Sequence, residues 1–169
     1  MLENIKLVVF DVDGVLTDGR IIFDSKGVET KFFHVLDGTG IKFLLKAGIE
    51  VAFITGRDSE VVAIRAKDLG VKHVYQKCLD KWPPFEDLMA KLGIKGEEVC
   101  CVGDDVHDIP MMRRCGFAAA VKGAREEVKS YAHYVTEAAG GFGAAREVAE
   151  LILKAQGKWD PIVKHYIEG

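Results

Sequence analysis

Short apolar runs alternate along this chain with segments in which apolar residues recur at helical spacing. The apolar runs are separated by polar, glycine-containing turns, as is typical of strands buried in a parallel sheet. We predict strands at 7–10, 51–54, 73–75, 99–102, 117–121 and 134–135. We predict helices at 40–46, 59–69 with Ser59 as a cap, 83–92, 110–114, 125–132 and 144–156. This alternation indicates an α/β fold with a doubly wound parallel sheet and helices on both faces.

One segment interrupts the alternation. The β-prone runs 20–23 and 28–34 flank a turn that ends in Gly27, which predicts a β-hairpin. The hairpin, at about 18–38, follows the first strand directly, so we expect it to project over the carboxyl edge of the sheet. We expect the whole chain, 1–169, to form a single domain with a short tail at 157–169.

Composition narrows the functional classes. Of the 169 residues, 49% are hydrophobic and 29% are charged, and the net charge of −3 gives no basic field for nucleic acid. No apolar run is long enough to cross a bilayer, and the first residues lack the features of a signal peptide, so we expect a cytoplasmic protein. The four cysteines show no metal-binding spacing, which favours buried, reduced side chains over a zinc site.

Two aspartates, Asp11 and Asp13, follow the first strand, and Gly14 comes directly after them. Because open α/β sheets bind ligands outside the carboxyl ends of their strands, these carboxylates should face a crevice. Two carboxylates ~4 Å apart repel each other by about 4 kcal/mol at an effective dielectric constant of ~20. A divalent cation or a shared proton removes that repulsion, so the pair predicts a metal site, an acid/base pair, or both.

Three other predicted strands are also followed by polar side chains, which would meet at the same edge of a parallel sheet: Thr55 and Arg57, Lys81, and the acids Asp104, Asp105 and Asp108. Mg²⁺ prefers hard oxygen ligands such as these carboxylates. A lysine and a hydroxyl suit the oxygens of a phosphoryl group in its transition state. The set therefore predicts Mg²⁺-dependent phosphoryl transfer, in which one carboxylate attacks phosphorus and a second carboxyl moves protons.

These motifs resemble those of the haloacid dehalogenase superfamily of phosphatases, in the same order and with similar spacing. The segment 11–17 resembles the first motif of that superfamily, Thr55 the second, Lys81 the third and 103–108 the fourth. A narrower similarity, to the 3-deoxy-D-manno-octulosonate 8-phosphate phosphatase family, is carried by 11–19, 33–38, 54–57, 139–144 and 155–158. The resemblance covers nearly the whole chain. It implies a Rossmann-like fold without a cap domain, a β-hairpin flap and a homotetramer.

The resemblance also implies roles for individual residues. Asp11 would be the nucleophile and Asp13 the acid/base, while Thr55 and Lys81 would hold the phosphoryl group. Mg²⁺ would be held by Asp11, the main-chain carbonyl of Asp13, and Asp104. The positions that would contact the sugar acid are Asp13, His34, Val35, Leu36, Asp37, Gly38, Lys42, Arg57, Arg65 and Lys81. Leu36, Lys42 and Phe142 stand where relatives have arginine, and these departures bear on sugar binding.

Some assignments stay open from the sequence. Asp105 and Asp108 could orient Lys81, bind metal-bound water, or cap the helix that follows. Arg65 could contact substrate or form a surface ion pair, whereas Lys77, the rival of Lys81, is expected to be a solvated charge. The apolar tail could reach the active site of a neighbouring subunit or pack against its own chain.

The expected activity is hydrolysis of 3-deoxy-D-manno-octulosonate 8-phosphate through an aspartyl-phosphate, a step of lipopolysaccharide precursor synthesis. The ligand would be a small anionic sugar phosphate, and neither nucleic acid nor a membrane is expected as a partner. An alternative of the same architecture is a phosphatase of a sialic-acid-type 9-phosphate. A phospho-acceptor signalling domain uses similar residues, but its phosphorylated aspartate follows a later strand than its acidic pair and precedes the threonine. Here the strand that ends at Thr55 has no such aspartate.

Overall fold

The computed structural model describes residues 1–169 and is built around a six-stranded parallel sheet. The strands of the protein are β1 (Leu7–Phe10), β2 (Ile22–Phe23), β3 (Glu29–Thr30), β4 (Glu50–Ile54), β5 (His73–Tyr75), β6 (Val99–Gly103), β7 (Phe117–Ala120) and β8 (Tyr134–Val135). The order in the sheet is β5-β4-β1-β6-β7-β8, so the chain winds outward from β1 in one direction and then in the other. The carboxyl end of β1 therefore lies at the topological switch point, where such sheets bind ligands.

Seven helices accompany the sheet: α1 (Val35–Lys46), α2 (Glu60–Leu69), α3 (Trp82–Leu92), α4 (Ile109–Met112), α5 (Glu126–Lys129), α6 (Ala144–Ala155) and α7 (Trp159–Glu168). Helix α1 packs against α6 and α2, while α3 packs against α4. The doubly wound α/β fold predicted from the sequence is confirmed, as is a small antiparallel hairpin formed by β2 and β3. None of the helices has the length and apolar character needed to span a bilayer.

The core consists of the continuous apolar runs that predicted the strands. All four residues of β1 are buried, and β6 and β7 are buried along their whole length. Parallel strands that are covered on both faces read as unbroken apolar runs, which is why the sequence marks them clearly. Cys100 and Cys101 are free thiols fully buried in β6, as expected for small apolar side chains in a core.

Some element boundaries differ from the prediction. Helix α1 begins at Val35 instead of residue 40, because the His34 side chain accepts a hydrogen bond from the Leu36 N–H (3.2 Å) and caps the first turn. The hairpin ladder is shorter than expected and pairs only Ile22–Phe23 with Glu29–Thr30. Ser59 occupies the N-cap position of α2, but its side chain makes no capping hydrogen bond, so its predicted capping role is wrong.

The tail forms a helix that the sequence did not predict. Trp159, at the start of α7, contacts Phe43 edge-on with 6.0 Å between ring centroids. The Arg146 guanidinium lies 5.4 Å from the Phe43 ring and 5.2 Å from the Trp159 ring, at cation–π distance from both. The tail of this chain therefore packs against its own helices α1 and α6.

A glycine-rich loop before α6 supports the turn that follows β1. Gly140 lies so close to the Gly14 carbonyl that a Cβ atom at Gly140 would overlap that oxygen. The Gly141 N–H donates to the Val15 carbonyl (2.9 Å) and ties the two loops together. On the other side, the Glu147 carboxylate accepts from the Glu137 N–H (2.9 Å) and the Ala138 N–H (3.0 Å). The loop is thus fixed from both sides.

Gly140→Ala should destabilise the protein by about 1–3 kcal/mol, because the new methyl group forces two packed backbones apart. Urea unfolding followed by circular dichroism measures the change. Gly123→Ala is the matched control, since a Cβ atom there meets no atom within 4 Å. Equal stability of the two variants would contradict close packing of the two loops.

Candidate active site

The ends of four parallel strands bring the predicted catalytic and metal-binding residues to one pocket of about 320 Å³. Asp11 and Asp13 follow β1, Thr55 follows β4, and Lys81 comes from the segment between β5 and α3. The acids that follow β6 also line the pocket. Its lining residues are Asp11, Asp13, Thr55, Gly56, Arg57, Cys78, Leu79, Lys81, Asp104, Asp105, His107 and Asp108. The predicted convergence of these groups on one edge of the sheet is therefore present in the structure.

Lys81 is the buried cation at the floor of this pocket. Its ammonium lies 2.8 Å from Asp11 Oδ1 and 2.6 Å from Asp108 Oδ1, and its side chain is only 2% exposed. Burial opposes the charge, but the two carboxylates outweigh it and hold the pKa of Lys81 above its usual value. Lys77, its rival from the sequence, is exposed and pairs with Asp58 (3.0 Å) outside the pocket.

Asp108 organises the acidic loop. It is fully buried, and its Oδ2 accepts hydrogen bonds from the Asp104 N–H (2.9 Å) and the Asp105 N–H (3.3 Å), while Oδ1 binds Lys81. Both oxygens are thus engaged by the protein. Asp105 caps the short 3₁₀ helix at Val106–Asp108 by accepting from the Val106 N–H (2.7 Å). Of the alternatives left open, the structure places Asp108 against Lys81 and Asp105 at a helix start.

Asp11 and Asp104 are the two carboxyl groups whose pKa values are raised by their surroundings in the site. Carboxylate oxygens of Asp11, Asp104 and Asp108 all lie within 4.8 Å of one another. Burial, followed by repulsion from Asp108, raises the pKa of Asp11 to about 6. Burial, followed by repulsion from Asp11 and Asp108, raises the pKa of Asp104 to about 8.

The donor set fits a hard divalent cation. Oδ1 of Asp104 is buried without any hydrogen-bond partner, which is costly unless a further group binds it. Both oxygens of Asp108 already accept hydrogen bonds from the protein, so Asp11 and Asp104 are the carboxylates with most capacity left for a cation, and oxygen ligands of this kind suit Mg²⁺. Gly14, at a φ of +90°, allows this approach, since a Cβ atom there would overlap the Asp104 carboxylate.

Thr17 and Thr55 set the surroundings of the nucleophile. The Thr17 hydroxyl oxygen, which the sequence analysis did not single out, accepts from the Gly14 N–H (3.2 Å) and the Gly19 N–H (3.1 Å), and so closes the turn after Asp13. Thr55 is 2% exposed at the end of β4. Its backbone N–H donates to the Tyr75 carbonyl (2.9 Å), so β4 and β5 jointly fix its position.

Asp13 binds a lysine that sequence reasoning missed. Lys31, just after β3, lies 2.5 Å from Asp13 Oδ1 and 2.9 Å from Glu29 Oε1. Arg57 completes the group, with Nη2 at 2.8 Å from Glu29 Oε2 and Nε at 3.9 Å from Asp13 Oδ2. Burial opposes ionisation of Glu29, but the Lys31 ammonium and the hydrogen bond from Arg57 lower its pKa to about 2. The only sequence signal for Lys31 was its position in the hairpin.

The candidate sugar-binding residues fall into separate groups. Arg57 lines the pocket of Asp11, whereas the half-buried N-cap His34 and the exposed Val35 and Leu36 lie at the start of α1. Asp37 is buried (2% exposed), and its Oδ1 accepts from the Arg146 N–H (3.0 Å) at the start of α6, while its Oδ2 has no hydrogen-bond partner. It therefore supports a helix N-terminus, and its contact with a sugar stays a prediction.

Arg65 and Lys42 line a second pocket of about 260 Å³, together with Phe33, Val35, Gly38, Thr39 and Leu69. None of these residues lines the pocket of Asp11. Arg65 makes the surface ion pair that the sequence allowed, with Asp68 (3.0 Å), and its guanidinium lies 5.4 Å from the centre of the Phe33 ring. Gly38 is buried against Arg65, where a larger residue would overlap the guanidinium.

Comparison with known proteins agrees with this geometry. The model of the haloacid dehalogenase-like hydrolase family matches residues 59–146. The 3-deoxy-D-manno-octulosonate 8-phosphate phosphatase KdsC of Escherichia coli K12 is 49% identical over 158 residues, which are 94% of this chain and 84% of that protein. KdsC of Haemophilus influenzae is 46% identical over 93% of this chain and 87% of its own length.

Solved structures show the same likeness. The 3-deoxy-D-manno-octulosonate 8-phosphate phosphatase of Moraxella catarrhalis, in complex with magnesium, phosphate and KDO, has a TM-score of 0.96 and 44% identity, over 98% of this chain and 95% of that one. The cobalt-bound phosphatase of Haemophilus influenzae has a TM-score of 0.90 and 46% identity, over 93% of this chain and 92% of that one. With the fold, the clustered acids and these relatives in agreement, the chain belongs to the 3-deoxy-D-manno-octulosonate 8-phosphate phosphatase family of haloacid dehalogenase-like hydrolases.

Proposed function

We propose that this protein is a Mg²⁺-dependent phosphatase that hydrolyses 3-deoxy-D-manno-octulosonate 8-phosphate to the free sugar acid and phosphate. The observation that carries the proposal is the cluster of the buried Asp11 and Lys81 with the half-buried Asp104, one oxygen of which is buried without a partner. Relatives with this activity, and a relative bound to magnesium, phosphate and KDO, support the choice of substrate. The product would enter lipopolysaccharide precursor synthesis, as the family resemblance implies.

In the first step, an Asp11 carboxylate oxygen attacks phosphorus in line with the sugar oxygen. A bond forms between Asp11 and phosphorus, the phosphorus–oxygen bond to the sugar breaks, and Asp13 gives its proton to the leaving oxygen. Lys81 lies 2.8 Å from Asp11 Oδ1 and holds the nucleophile while it offers positive charge to the phosphoryl oxygens. Thr55, which lines the same pocket, would donate a hydrogen bond to the same group.

In the second step, Asp13 takes a proton from water, and the water oxygen attacks phosphorus. The bond between Asp11 and phosphorus breaks, phosphate leaves, and Asp11 returns to its carboxylate form. Asp11, Asp104 and the Asp13 carbonyl would hold Mg²⁺, which supplies positive charge against the acids and the phosphoryl oxygens when bound. Asp108 keeps Lys81 and the acidic loop in place through both steps.

The nucleophile assignment predicts that Asp11→Asn lowers kcat for 3-deoxy-D-manno-octulosonate 8-phosphate by at least about 1,000-fold, since an amide oxygen attacks phosphorus poorly. The rate of phosphate release in the presence of Mg²⁺ measures this loss of kcat. Asp160→Asn, an exposed acid of α7, is the matched control and should keep wild-type activity. A stable phospho-adduct of the wild type without turnover would indicate a signalling acceptor instead. Faster turnover of a 9-carbon keto-acid 9-phosphate would replace the proposed substrate.

Removing Mg²⁺ should change thermal stability in a pH-dependent way. With the pKa of Asp11 raised to about 6 and that of Asp104 to about 8, the folded, metal-free protein retains protons that the unfolded chain has already lost. The stability of the metal-free protein therefore falls as pH rises through this range. Mg²⁺ binds the ionised carboxylates, so it should raise Tm more at about pH 8.5 than at about pH 5.

Scanning calorimetry with and without MgCl₂ measures this difference. In Asp104→Asn, one of the two titrating carboxylates is absent, so both the Mg²⁺-induced rise in Tm and its pH dependence should shrink. An equal rise at both pH values in the wild type would contradict binding at the Asp11–Asp104 pair.

We also propose that the enzyme is a homo-oligomer, with a tetramer as the family arrangement. Large apolar side chains are exposed on the hairpin and near the start of α1, including Phe23 (56%), Phe32 (59%), Val35 (75%) and Phe142 (60%). Such exposure favours a protein interface. Within one chain, the Lys42–Arg65 pocket is separate from the Asp11 pocket. A neighbouring subunit would bring the second pocket to the first.

If Arg65 acts in the site of a neighbour, hybrids of two defective variants should regain activity. Asp11→Asn and Arg65→Ala subunits, co-expressed at equal levels, leave about one quarter of the sites with an intact nucleophile beside an intact Arg65. Purified hybrids should therefore reach up to about one quarter of wild-type activity. The control mixes Asp11→Asn with Asp104→Asn, which lie in the same pocket and should not complement. Failure of the first mixture to exceed the control would place Arg65 outside its neighbour's site.

A further inference from the structure

Lys31 is a buried ammonium in the hairpin that the steps derived above do not use. Its side chain is 1% exposed, and its partners are the carboxylates of Asp13 (2.5 Å) and Glu29 (2.9 Å). Burying a lysine costs several kcal/mol unless opposite charges compensate it. Here they come from two sides: Glu29 lies in the hairpin itself, and Asp13 lies in the turn after β1. Lys31 therefore links the hairpin to the acid/base carboxyl.

The contact with Lys31 gives the two carboxylate oxygens of Asp13 different surroundings. Lys31 holds Oδ1, whereas Oδ2 accepts no hydrogen bond from the protein, and Arg57 Nε lies 3.9 Å from it. Asp13 lines the pocket of Asp11, so its second oxygen remains available to the leaving oxygen and to water. A lysine bound to one oxygen fixes the rotamer of a short carboxylate and aims the other oxygen.

Lys31 itself is held by a closed ring of alternating charges. Glu29 joins Lys31 to Arg57 through separate oxygens, and Arg57 returns to Asp13. The paired part of the hairpin is only two residues long on each strand, and an isolated ladder of that length has little stability of its own. The ring of ion pairs thus adds stability that the short ladder does not provide. Through it, the hairpin and Asp13 hold each other in position.

We propose that Lys31 is a positioning residue that orients Asp13 for proton transfer to and from the reacting oxygens. The inference rests on the proposed function, because it needs Asp13 to act as the acid and base. Lys31 does not touch substrate, since its ammonium is enclosed by the two carboxylates. Replacing Lys31 should therefore slow the release of a leaving group that must be protonated more than the release of one that is stable as an anion.

The test compares two substrates in one preparation of enzyme. The sugar oxygen of 3-deoxy-D-manno-octulosonate 8-phosphate needs a proton to leave, whereas the leaving group of 4-nitrophenyl phosphate is stable as an anion. In Lys31→Met, leaving-group release in the first turnover at saturating substrate should fall about 10- to 100-fold for the sugar phosphate and little for the nitrophenyl ester. Inactive or unfolded protein lowers both rates equally, so the ratio of the two rates is unaffected by poor folding.

Lys26→Met, in the exposed hairpin turn, is the matched control and should leave the ratio unchanged. Lys31→Arg, which keeps the charge, should recover part of the loss. A second arm repeats Lys31→Met in the Asp13→Asn background, where no acid remains to be oriented and the substitution should add less than about twofold.

The outcomes separate the possible failures. A wild type that does not turn over the sugar phosphate overturns the proposed function itself. If the wild type is active but Lys31→Met changes the ratio of the two rates by less than about fivefold, the Lys31 inference is overturned and the proposed function is not. A loss that persists in the Asp13→Asn background also overturns it, because Lys31 would then act through sugar binding or folding.

Discussion

The structure depends on keeping three carboxylates close together in a largely buried place. Asp11, Asp104 and Asp108 present oxygens within 4.8 Å of one another, and the single ammonium among them is Lys81. One cation cannot neutralise three anions, and the excess negative charge shows in the raised pKa values of Asp11 and Asp104. The protein tolerates this arrangement only because a further cation or a proton can complete it. The same excess of charge is what prepares the site for a metal ion and an electron-poor phosphorus.

The parallel sheet is the means of bringing these groups together. Asp11 follows β1, Lys81 follows β5, and Asp104 and Asp108 both follow β6. The residues of β1 and β6 are buried in the core and so fix the ends of these two strands. Close packing of loops then removes the remaining freedom. Gly14 lets the Asp104 carboxylate approach the β1 turn, and Gly140 lets a second loop press on that turn from behind. Small residues therefore matter here for the space they leave, and their substitution would move the nucleophile indirectly.

The sequence predicts the fold and the strand-end residues well because both follow from strong local patterns. Buried parallel strands read as apolar runs, and their order along the chain leaves few topologies. The hairpin and its surroundings were predicted less well, because contacts that are remote in sequence decide them. Asp37 supports the start of α6 at Arg146, and Lys31 is buried by Asp13, so neither position follows from its neighbours in the chain. The α7 helix likewise depends on the packing of Trp159 against Phe43.

The pocket contains two regions of different charge balance. One has an excess of acids and the other has equal numbers of acids and bases, and a phosphatase uses both. Around Asp11 and Asp104, acids exceed bases, so that half of the pocket attracts a cation. Around Asp13, two acids and two bases alternate, so Lys31, Glu29 and Arg57 add no net charge beyond neutralising it. A carboxyl that exchanges protons must not be captured by the metal, and a balanced ring keeps it on the hairpin side. Because the ring is built partly from the hairpin, the position of the hairpin and the orientation of the acid/base carboxyl depend on each other.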